Sequence, residues 1–312
     1  MSAADEEVTL PTSYGVALSV RVWRGTAAAA AGGLHLMCLH GWLDNSASFS
    51  RLIPALLPLL PPGSCIAALD FAGHGRSGHS PSGLYSTAEN ALHVVEALDL
   101  LGWGRVVLVG HSMGGGVATV LAGSLPERVR GVLLLDSAGP PPVPAEAAPD
   151  GVSKYLAARG AAARGAAAAR GGARYPSLES AVAARLATVA THPGRQSLSE
   201  EGAAALVRRA LQEAPGGGFD FSHDGRLKAF CFSYCEAQTH EFFRRIAAAD
   251  VPVLLLRAAG GWPYDRALVA ARVALLGAFF SLVELPGSHH FHLDPATSGA
   301  VVAACAEWLG RL

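Results

Sequence analysis

A five-residue turn, Gly110-His111-Ser112-Met113-Gly114, constrains this chain more than any other feature of its sequence. An apolar β-like run precedes the turn, and a glycine-led helical run follows it. A serine on a strained strand-to-helix turn leaves little room for side chains two positions before and after it, so glycine is needed at both. Gly110 and Gly114 meet that requirement. We therefore predict that Ser112 is a nucleophile whose hydroxyl projects above one edge of a sheet.

Two backbone N–H groups near that serine are candidates for binding negative charge. The Met113 N–H follows the serine and lies at the positive end of the predicted helix. A second loop, His40-Gly41-Trp42, ends a predicted strand, and its Trp42 N–H is the other candidate donor. Paired N–H groups of this kind hold the oxyanion of a tetrahedral intermediate. The alternative is that His40 and Gly41 only make a tight turn.

A serine hydroxyl is a weak nucleophile near neutral pH, so the chain must also supply a base. The candidate is His289 in the loop Gly287-Ser288-His289-His290-Phe291-His292, which lies between the last apolar strand and the last helix. Three neighbouring histidines can also bind a metal ion. No carboxylate or cysteine at ligand spacing accompanies them in the sequence, however. We therefore favour the base and expect no metal site.

Strands alternate with helices along most of the chain, which indicates an α/β protein with a mostly parallel central sheet flanked by helices. Apolar runs mark the strands, at 34–39, 66–69, 106–109, 131–135, 253–256 and 280–285. An alternating run at 16–23 predicts an antiparallel edge strand. Such sheets bind ligands beyond the carboxyl ends of their strands, where we expect Ser112 and His289 to lie.

An insertion interrupts this alternation after Asp136. No convincing strand follows until the final two, and amphipathic helices are predicted at 178–190, 199–213 and 236–248. The tract 157–174 is rich in alanine, arginine and glycine, and we assign it no function. We predict two core segments, 1–136 and 251–312, and an inserted helical cap of residues 137–250.

Composition excludes several classes of protein. The formal net charge is −1 and the basic residues are scattered, so no basic face is available for nucleic acid. No apolar run approaches the roughly 20 residues of a membrane span. The cysteines are odd in number and widely spread, which argues against a disulfide framework. Cys231 and Cys235 are better explained as helical packing positions than as zinc ligands.

The chain termini carry limited targeting information. The acidic start has neither the apolar core of a signal peptide nor the arginines of a transit peptide, so we expect a cytoplasmic protein. The final Gly310-Arg311-Leu312 loosely resembles a peroxisomal tripeptide, which is the alternative location. The sequence does not indicate an oligomeric state.

Four motifs together resemble the α/β-hydrolase fold family, and specifically its capped members known as serine hydrolase-like proteins. They are the His40-Gly41 turn, the loop at 70–77, the turn at 110–114 and the loop at 287–292, in the family's order. The resemblance implies hydrolysis of an ester, thioester or related carbonyl bond through an acyl-serine, without a cofactor. We expect a small to medium, apolar substrate. Epoxide hydrolases and haloalkane dehalogenases are also similar but need aspartate in place of Ser112.

The acid that orients the base departs from the commonest pattern of that family. Most members carry it after the penultimate strand, where this chain has Gly260 and Gly261. Asp265 follows just before a predicted helix, where it can equally be an N-terminal helix charge. Asp136 ends the preceding strand, a position that some members use. We favour Asp136 and keep Asp265 as the alternative.

Two other functions stay open at this point. The missing carboxylate at Gly260 and Gly261 is compatible with a ligand-binding or receptor-like protein that has little turnover. Carbon–carbon bond hydrolysis would use the same serine and histidine. Labelling by a fluorophosphonate separates an activated serine from an inert one.

Overall fold

The computed structural model describes residues 5–25, 32–163, 174–194, 196–228 and 234–312. The strands in these ranges are β1 (Asp5–Pro11), β2 (Ala17–Arg24), β3 (His35–Leu39), β4 (Cys65–Leu69), β5 (Val106–His111), β6 (Val129–Leu135), β7 (Leu211–Glu213), β8 (Phe219–Phe221), β9 (Val253–Gly260) and β10 (Phe280–Ser288). All but β7 and β8 pair in one sheet, in the order β1-β2-β4-β3-β5-β6-β9-β10. β2 is antiparallel to β1 and β4, and the other neighbours are parallel.

The helices in the same ranges are α1 (Leu52–Leu56), α2 (Thr87–Leu100), α3 (Met113–Ser124), α4 (Ala148–Ala163), α5 (Leu178–Ala190), α6 (Glu200–Ala210), α7 (Glu236–Ala248), α8 (Arg266–Leu276) and α9 (Ser298–Leu309). Serine side chains begin three of them, α2, α5 and α6, as expected for N-caps. Ser86 accepts the Glu89 N–H at the start of α2, and Ser199 accepts the Gly202 N–H at the start of α6. The predicted α/β architecture with a mainly parallel sheet is confirmed.

Apolar clusters cover both faces of the sheet. Every residue of β5 is buried, as expected for a strand with helices on both sides. Leu108 packs in a cluster with α2, α3, α7 and α8, whereas Val107 and Val109 pack in a second cluster with α1 and α9. This alternation follows from the period of two along a strand.

A third apolar cluster joins α5 and α6, and the β7–β8 hairpin extends from α6. We call these three elements, together with the segment that joins α5 to α6, the cap. Their apolar residues, among them Val182 and Leu206, bury against each other and against Leu293 of the core. The cap therefore has its own small core and one apolar contact with the loop that follows β10.

α7 packs differently from the other helices of the insertion. Phe243 and Ile246 belong to the main core cluster, and a Cβ on Gly123 of α3 would lie 2.6 Å from the Cα of Phe242. α7 thus lies directly on α3 and does not share the apolar cluster of α5 and α6. The predicted cap of 137–250 treated this helix as part of the cap, because amphipathic spacing is the same for either surface.

Two details of the strands differ from the predictions. The run at 16–23 forms β2, which is antiparallel as predicted but lies one strand in from the edge, since β1 covers it. The segment 46–60 forms α1 and two single 3₁₀ turns, and Pro58 and the paired prolines after Leu60 limit the length of helix there. The short β7–β8 hairpin was not predicted. Most of the tract 157–174 lies outside the described residues.

The described cysteines, Cys38, Cys65, Cys235 and Cys305, are free thiols. Cys231 lies outside the described residues, so its pairing with Cys235 stays untested. Among the described helices, none is both long and apolar enough to span a membrane. The Leu312 carbonyl accepts a hydrogen bond from Arg130 Nη2 at 2.8 Å. The cytoplasmic location and its peroxisomal alternative stay predictions.

Candidate active site

Ser112 occupies a strained turn between β5 and α3. Its φ of 51° lies in the left-handed region, with ψ at −116°. A Cβ on Gly110 would lie 2.5 Å from the Gly114 carbonyl oxygen, and a Cβ on Gly114 would lie 2.0 Å from the Leu39 carbonyl oxygen. Neither position can hold a side chain. The close approach of β5, α3 and β3 therefore explains both glycines of the motif.

His289 and Asp136 meet in a buried hydrogen bond. His289 Nδ1 lies 2.6 Å from Asp136 Oδ2, although 153 positions separate the two residues in the chain. The Asp136 carboxylate also accepts the Ala258 N–H at 3.1 Å and the Trp262 N–H at 2.8 Å. Because the carboxylate accepts, Nδ1 carries the proton of the neutral imidazole. His289 Nε2 is then left with a free lone pair.

The glycine that replaces the usual acid is explained by the same carboxylate. A Cβ on Gly261 would lie 2.4 Å from both carboxylate oxygens of Asp136. Asp136 follows β6 with a φ of 44°, and its N–H donates to the Leu256 carbonyl oxygen at 2.8 Å. The loop after β9 therefore encloses a carboxylate that β6 supplies.

Asp265, the alternative acid, lies at the start of α8. Its Oδ1 accepts the N–H groups of Ala267 at 2.7 Å and Leu268 at 3.1 Å. These bonds are those of an exposed N-cap. The structure thus brings Asp136, and not Asp265, to the imidazole of His289.

The two predicted oxyanion donors lie at the carboxyl edge of the sheet, after β3 and β5. Met113 is the first residue of α3, so its N–H has no acceptor within the helix. His40 is buried, donates from Nδ1 to the Gly41 carbonyl at 2.7 Å and accepts the Phe71 N–H at Nε2. With the Gly41 carbonyl directed at His40, the Trp42 N–H of the same trans peptide points the opposite way.

Asp44 forms a second buried polar cluster that the sequence analysis missed. Its Oδ2 accepts a hydrogen bond from His290 Nε2 at 3.1 Å, and its Oδ1 pairs with Arg185 of α5. Burial would raise the pKa of Asp44, but His290 and Arg185 together hold it well below its ordinary value. Burial lowers the pKa of His290. Nothing in the sequence near His290 indicated this partner, which lies 246 positions earlier.

His111 completes this cluster, in which a carboxylate lies beside two histidines. Its Nε2 donates to the His289 carbonyl at 3.0 Å, and its Nδ1 lies 3.7 Å from Asp44 Oδ2. The ligand atoms of Asp44, His111 and His290 lie within 4.8 Å of one another, so a carboxylate does accompany the histidines. Both oxygens of Asp44 are already bonded within the protein. We therefore infer that the cluster positions the loop at 287–292, and we do not assign a metal ion to it.

The remaining histidine of the loop at 287–292 is separate from the triad candidates. His292 Nε2 lies 2.9 Å from Ser48 Oγ, so this side chain forms its hydrogen bond outside its own loop.

A cavity of about 420 Å³ lies between the loop at 75–79 and the end of α6. Its lining includes none of the predicted catalytic residues, and we assign it no function.

The eight-stranded sheet, the serine turn and the histidine–aspartate pair define the class of protein. The model of the α/β hydrolase fold family matches residues 35–294, so the chain belongs to this family. Within it, the chain resembles serine hydrolase-like proteins, as predicted. The serine hydrolase-like protein of Danio rerio is 30% identical over 308 residues, which cover 94% of this chain and 86% of that protein.

Solved structures show the same fold over the whole chain. The hypothetical protein PA1622 from Pseudomonas aeruginosa PAO1 superposes with a TM-score of 0.80 at 35% identity, over 98% of this chain and 99% of that chain. The thioesterase domain from the curacin biosynthetic pathway gives a TM-score of 0.74 at 23% identity, again over 98% and 99%. At that identity the second likeness shows the fold alone.

Proposed function

We propose that this protein is a cofactor-independent serine hydrolase that cleaves an ester, thioester or related carbonyl bond through an acyl intermediate on Ser112. One observation carries the proposal. His289 Nδ1 lies 2.6 Å from Asp136 Oδ2, which gives the imidazole both its orientation and its tautomer. The strained turn at Ser112 and the family membership support the same conclusion.

The first half-reaction forms the acyl-serine. Ser112 Oγ attacks the substrate carbonyl carbon while its proton passes to His289 Nε2, and the carbonyl π electrons move to the oxygen. The Met113 and Trp42 N–H groups bind that oxyanion. When the intermediate collapses, the bond to the leaving alcohol or thiol breaks, and the leaving group takes the proton from His289.

The second half-reaction repeats these steps with water. His289 removes a proton from water as its oxygen attacks the acyl carbon, and the carbon–Oγ bond then breaks. The proton returns to Ser112, so the free acid leaves and the enzyme is restored. Asp136 stabilises the imidazolium that forms in each half-reaction, since its carboxylate accepts a hydrogen bond from the Nδ1–H group.

Aromatic side chains near the site support a small to medium, apolar substrate. Trp262 lies with its ring centroid 5.4 Å from that of His289, and His192 of the cap packs at 6.0 Å from Trp262. Trp42, beside the candidate oxyanion donor, is 43% exposed. An exposed indole next to a reaction centre supplies apolar contact area for a ligand.

The sequence feature that favoured the receptor-like alternative has another explanation. That alternative was based on the glycines at 260 and 261, and the close contact of Gly261 with the Asp136 carboxylate gives a structural reason for that glycine.

The packing of the inserted helices suggests where the cap and the core divide. We place the site-facing cap within 137–250 at α5, α6 and the β7–β8 hairpin, and assign α7 to the core formed with 1–136 and 251–312.

Fluorophosphonate labelling tests the proposal. The folded wild-type protein should react rapidly, and peptide mass spectrometry should locate the adduct on Ser112. Ser112→Ala should abolish labelling while circular dichroism stays unchanged, because only a hydroxyl is removed. Ser124→Ala, at the end of α3, is the matched control and should label like the wild type. An unlabelled wild-type protein, or an adduct elsewhere, would end the proposal.

A further inference from the structure

Gln196 connects the cap to the loop that carries His289. It lies in the segment between α5 and α6, and its side chain is buried. Its Oε1 accepts the His289 backbone N–H at 2.9 Å and the Ser288 hydroxyl at 2.8 Å. The backbone of the candidate base is thus held by a side chain from the cap.

The same amide group also binds the loop that encloses Asp136. Gln196 Nε2 donates to the Gly261 carbonyl at 3.0 Å and to the Pro193 carbonyl at 2.8 Å. The peptide that joins Gly261 to Trp262 then donates its own N–H to Asp136 Oδ2 at 2.8 Å. One peptide unit therefore accepts from Gln196 on one side and donates to Asp136 on the other.

These contacts close a ring of hydrogen bonds. It runs from Gln196 through the Gly261–Trp262 peptide to Asp136, then to the His289 side chain and back through the His289 N–H to Gln196. Hydrogen bonds linked in this way in a buried site polarise and strengthen one another. The ring fixes His289 at two points, since Asp136 holds its imidazole and Gln196 holds its backbone.

We propose that Gln196 is a positioning residue through which the cap sets the orientation of His289, so that catalytic rate depends on the docked position of the cap. This inference rests on the proposed function for its kinetic consequence. Gln196 does not contact the reacting atoms in this scheme. It acts through Asp136 and His289, and its loss should lower the rate of acylation without removing the substrate-binding surface.

The chemistry of the ring requires an amide of this length. The side chain must accept two hydrogen bonds at one atom and donate two at another. Asparagine is one methylene shorter, methionine offers neither group, and a glutamate carboxylate would place a lone pair against the Gly261 carbonyl. Gln196→Met therefore removes the ring contacts while keeping similar bulk.

Steady-state kinetics of Gln196→Met on an aryl ester provide the first test. A misplacement of about 1 Å at a catalytic group can cost about 10²-fold in rate, so we expect kcat to fall by that order with KM within about twofold. Gln212→Met, an exposed position on β7 of the same cap, is the matched control and should leave both constants unchanged. A folded Gln196→Met protein with wild-type kcat, or one altered only in KM, would overturn the inference.

Proton NMR supplies a readout that needs no turnover. The His289 Nδ1 proton, bound to Asp136, should give a downfield resonance that disappears in His289→Ala and exchanges slowly with water. In Gln196→Met that exchange should be much faster, and an unchanged rate would contradict the ring. If the wild type shows this resonance but no hydrolysis or labelling, the proposed function fails and the ring is still tested.

A second variant covers the case in which Gln196→Met does not fold. Gln196→Glu keeps the acceptor for the His289 N–H but loses the donor to Gly261 and adds negative charge near the imidazole. Negative charge favours imidazolium, so the acid limb of the kcat/KM profile should move to higher pH. The added charge alone moves this limb, so the test of positioning is kcat, which should also fall. A folded Gln196→Glu protein with wild-type kcat would contradict the inference.

Discussion

A Cβ on Gly261 would lie 2.4 Å from both carboxylate oxygens of Asp136. The loop after β9 therefore provides a pocket for one carboxylate, and β6 fills it from the neighbouring strand. Ala258 and Trp262 donate their N–H groups into this pocket. The pocket belongs to the β9 loop, whereas its carboxylate comes from a different strand.

Gly261→Ala should displace the Asp136 carboxylate and so disturb His289. We expect kcat to fall by about 10²-fold or more, because the imidazole loses its orientation. Gly299→Ala is the control, since a Cβ there meets nothing within 4 Å and alanine favours the helix by about 0.5–1 kcal/mol. Full activity in folded Gly261→Ala would show that the contact is not restrictive.

The acid should also be movable between the two strands. Asp136→Gly should lower the rate by about 10⁴-fold, the loss seen when a triad histidine loses its acid partner. Gly tolerates the left-handed conformation at this position, where φ is 44°. Adding Gly261→Asp should then recover at least about tenfold of the rate on an aryl ester. A double variant no faster than Asp136→Gly would contradict this interpretation of the pocket.

The sequence predicts the candidate serine and the candidate base more directly than the candidate acid. The two glycines around Ser112 report a local steric requirement, and the position of His289 follows from the order of strands. The sequence distinguishes Asp136 from Asp265 as the candidate acid less clearly, because the choice depends on which loop folds over His289. Gln196 and Asp44 had no sequence signal at all. Their roles arise from contacts between residues far apart in the chain.

The same distinction holds for the fold. The bounds predicted for α5 and α7 match the structure, since apolar spacing and flanking turn residues are local signals. Each strand of the β7–β8 hairpin has three residues, too few for a period of two to be recognised. The packing of α7 on α3 could not be predicted either, because amphipathic spacing does not specify the surface that a helix covers.

A buried ion pair joins the cap to the core and should contribute to stability. Arg209 of α6 binds both carboxylate oxygens of Asp70 through Nε, at 2.9 and 3.1 Å, and its Nη2 lies 2.8 Å from Glu7 Oε1. Asp70 is fully buried. Arg209→Met leaves that charge without its partner, which typically costs about 3–5 kcal/mol. Urea denaturation should show this loss in the free energy of unfolding.

An exposed ion pair gives the control for that measurement. Arg244 pairs with Glu241 on the surface of α7, and both side chains are more than half exposed. Arg244→Met should change the free energy of unfolding by less than about 1 kcal/mol. Equal effects of the two substitutions would mean that the Arg209 contact is no stronger than a surface pair.

Stability should decrease as the pH falls below the ordinary pKa of histidine. Burial, with the nearby His40, lowers the pKa of His74 from 6.5 to about 3. The unfolded chain therefore binds a proton that the folded protein excludes between these values. Above pH 6.5 this proton uptake does not reduce the free energy of unfolding. Below pH 6.5 it lowers the free energy of unfolding by up to about 1.4 kcal/mol per pH unit toward pH 3.

Urea midpoints between pH 8 and pH 5 measure this dependence. His74→Gln should reduce the slope of the free energy of unfolding against pH below 6.5, whatever its effect at pH 8. His79→Gln, on the same loop with a side chain 47% exposed, is the control and should leave most of the slope. A slope that is unchanged in His74→Gln would assign the acid sensitivity to other groups.

The central claim is that Ser112, His289 and Asp136 act as one catalytic unit, and a double-mutant cycle on kcat/KM for an aryl ester tests it most directly. Asp136→Asn should lower the rate by about 10⁴-fold in the wild-type background, because the imidazole loses its tautomer. In a His289→Ala background the same change should cost less than about threefold, since Asp136 acts only through His289. An equal loss in both backgrounds, or a near-normal rate in Asp136→Asn alone, would contradict the triad.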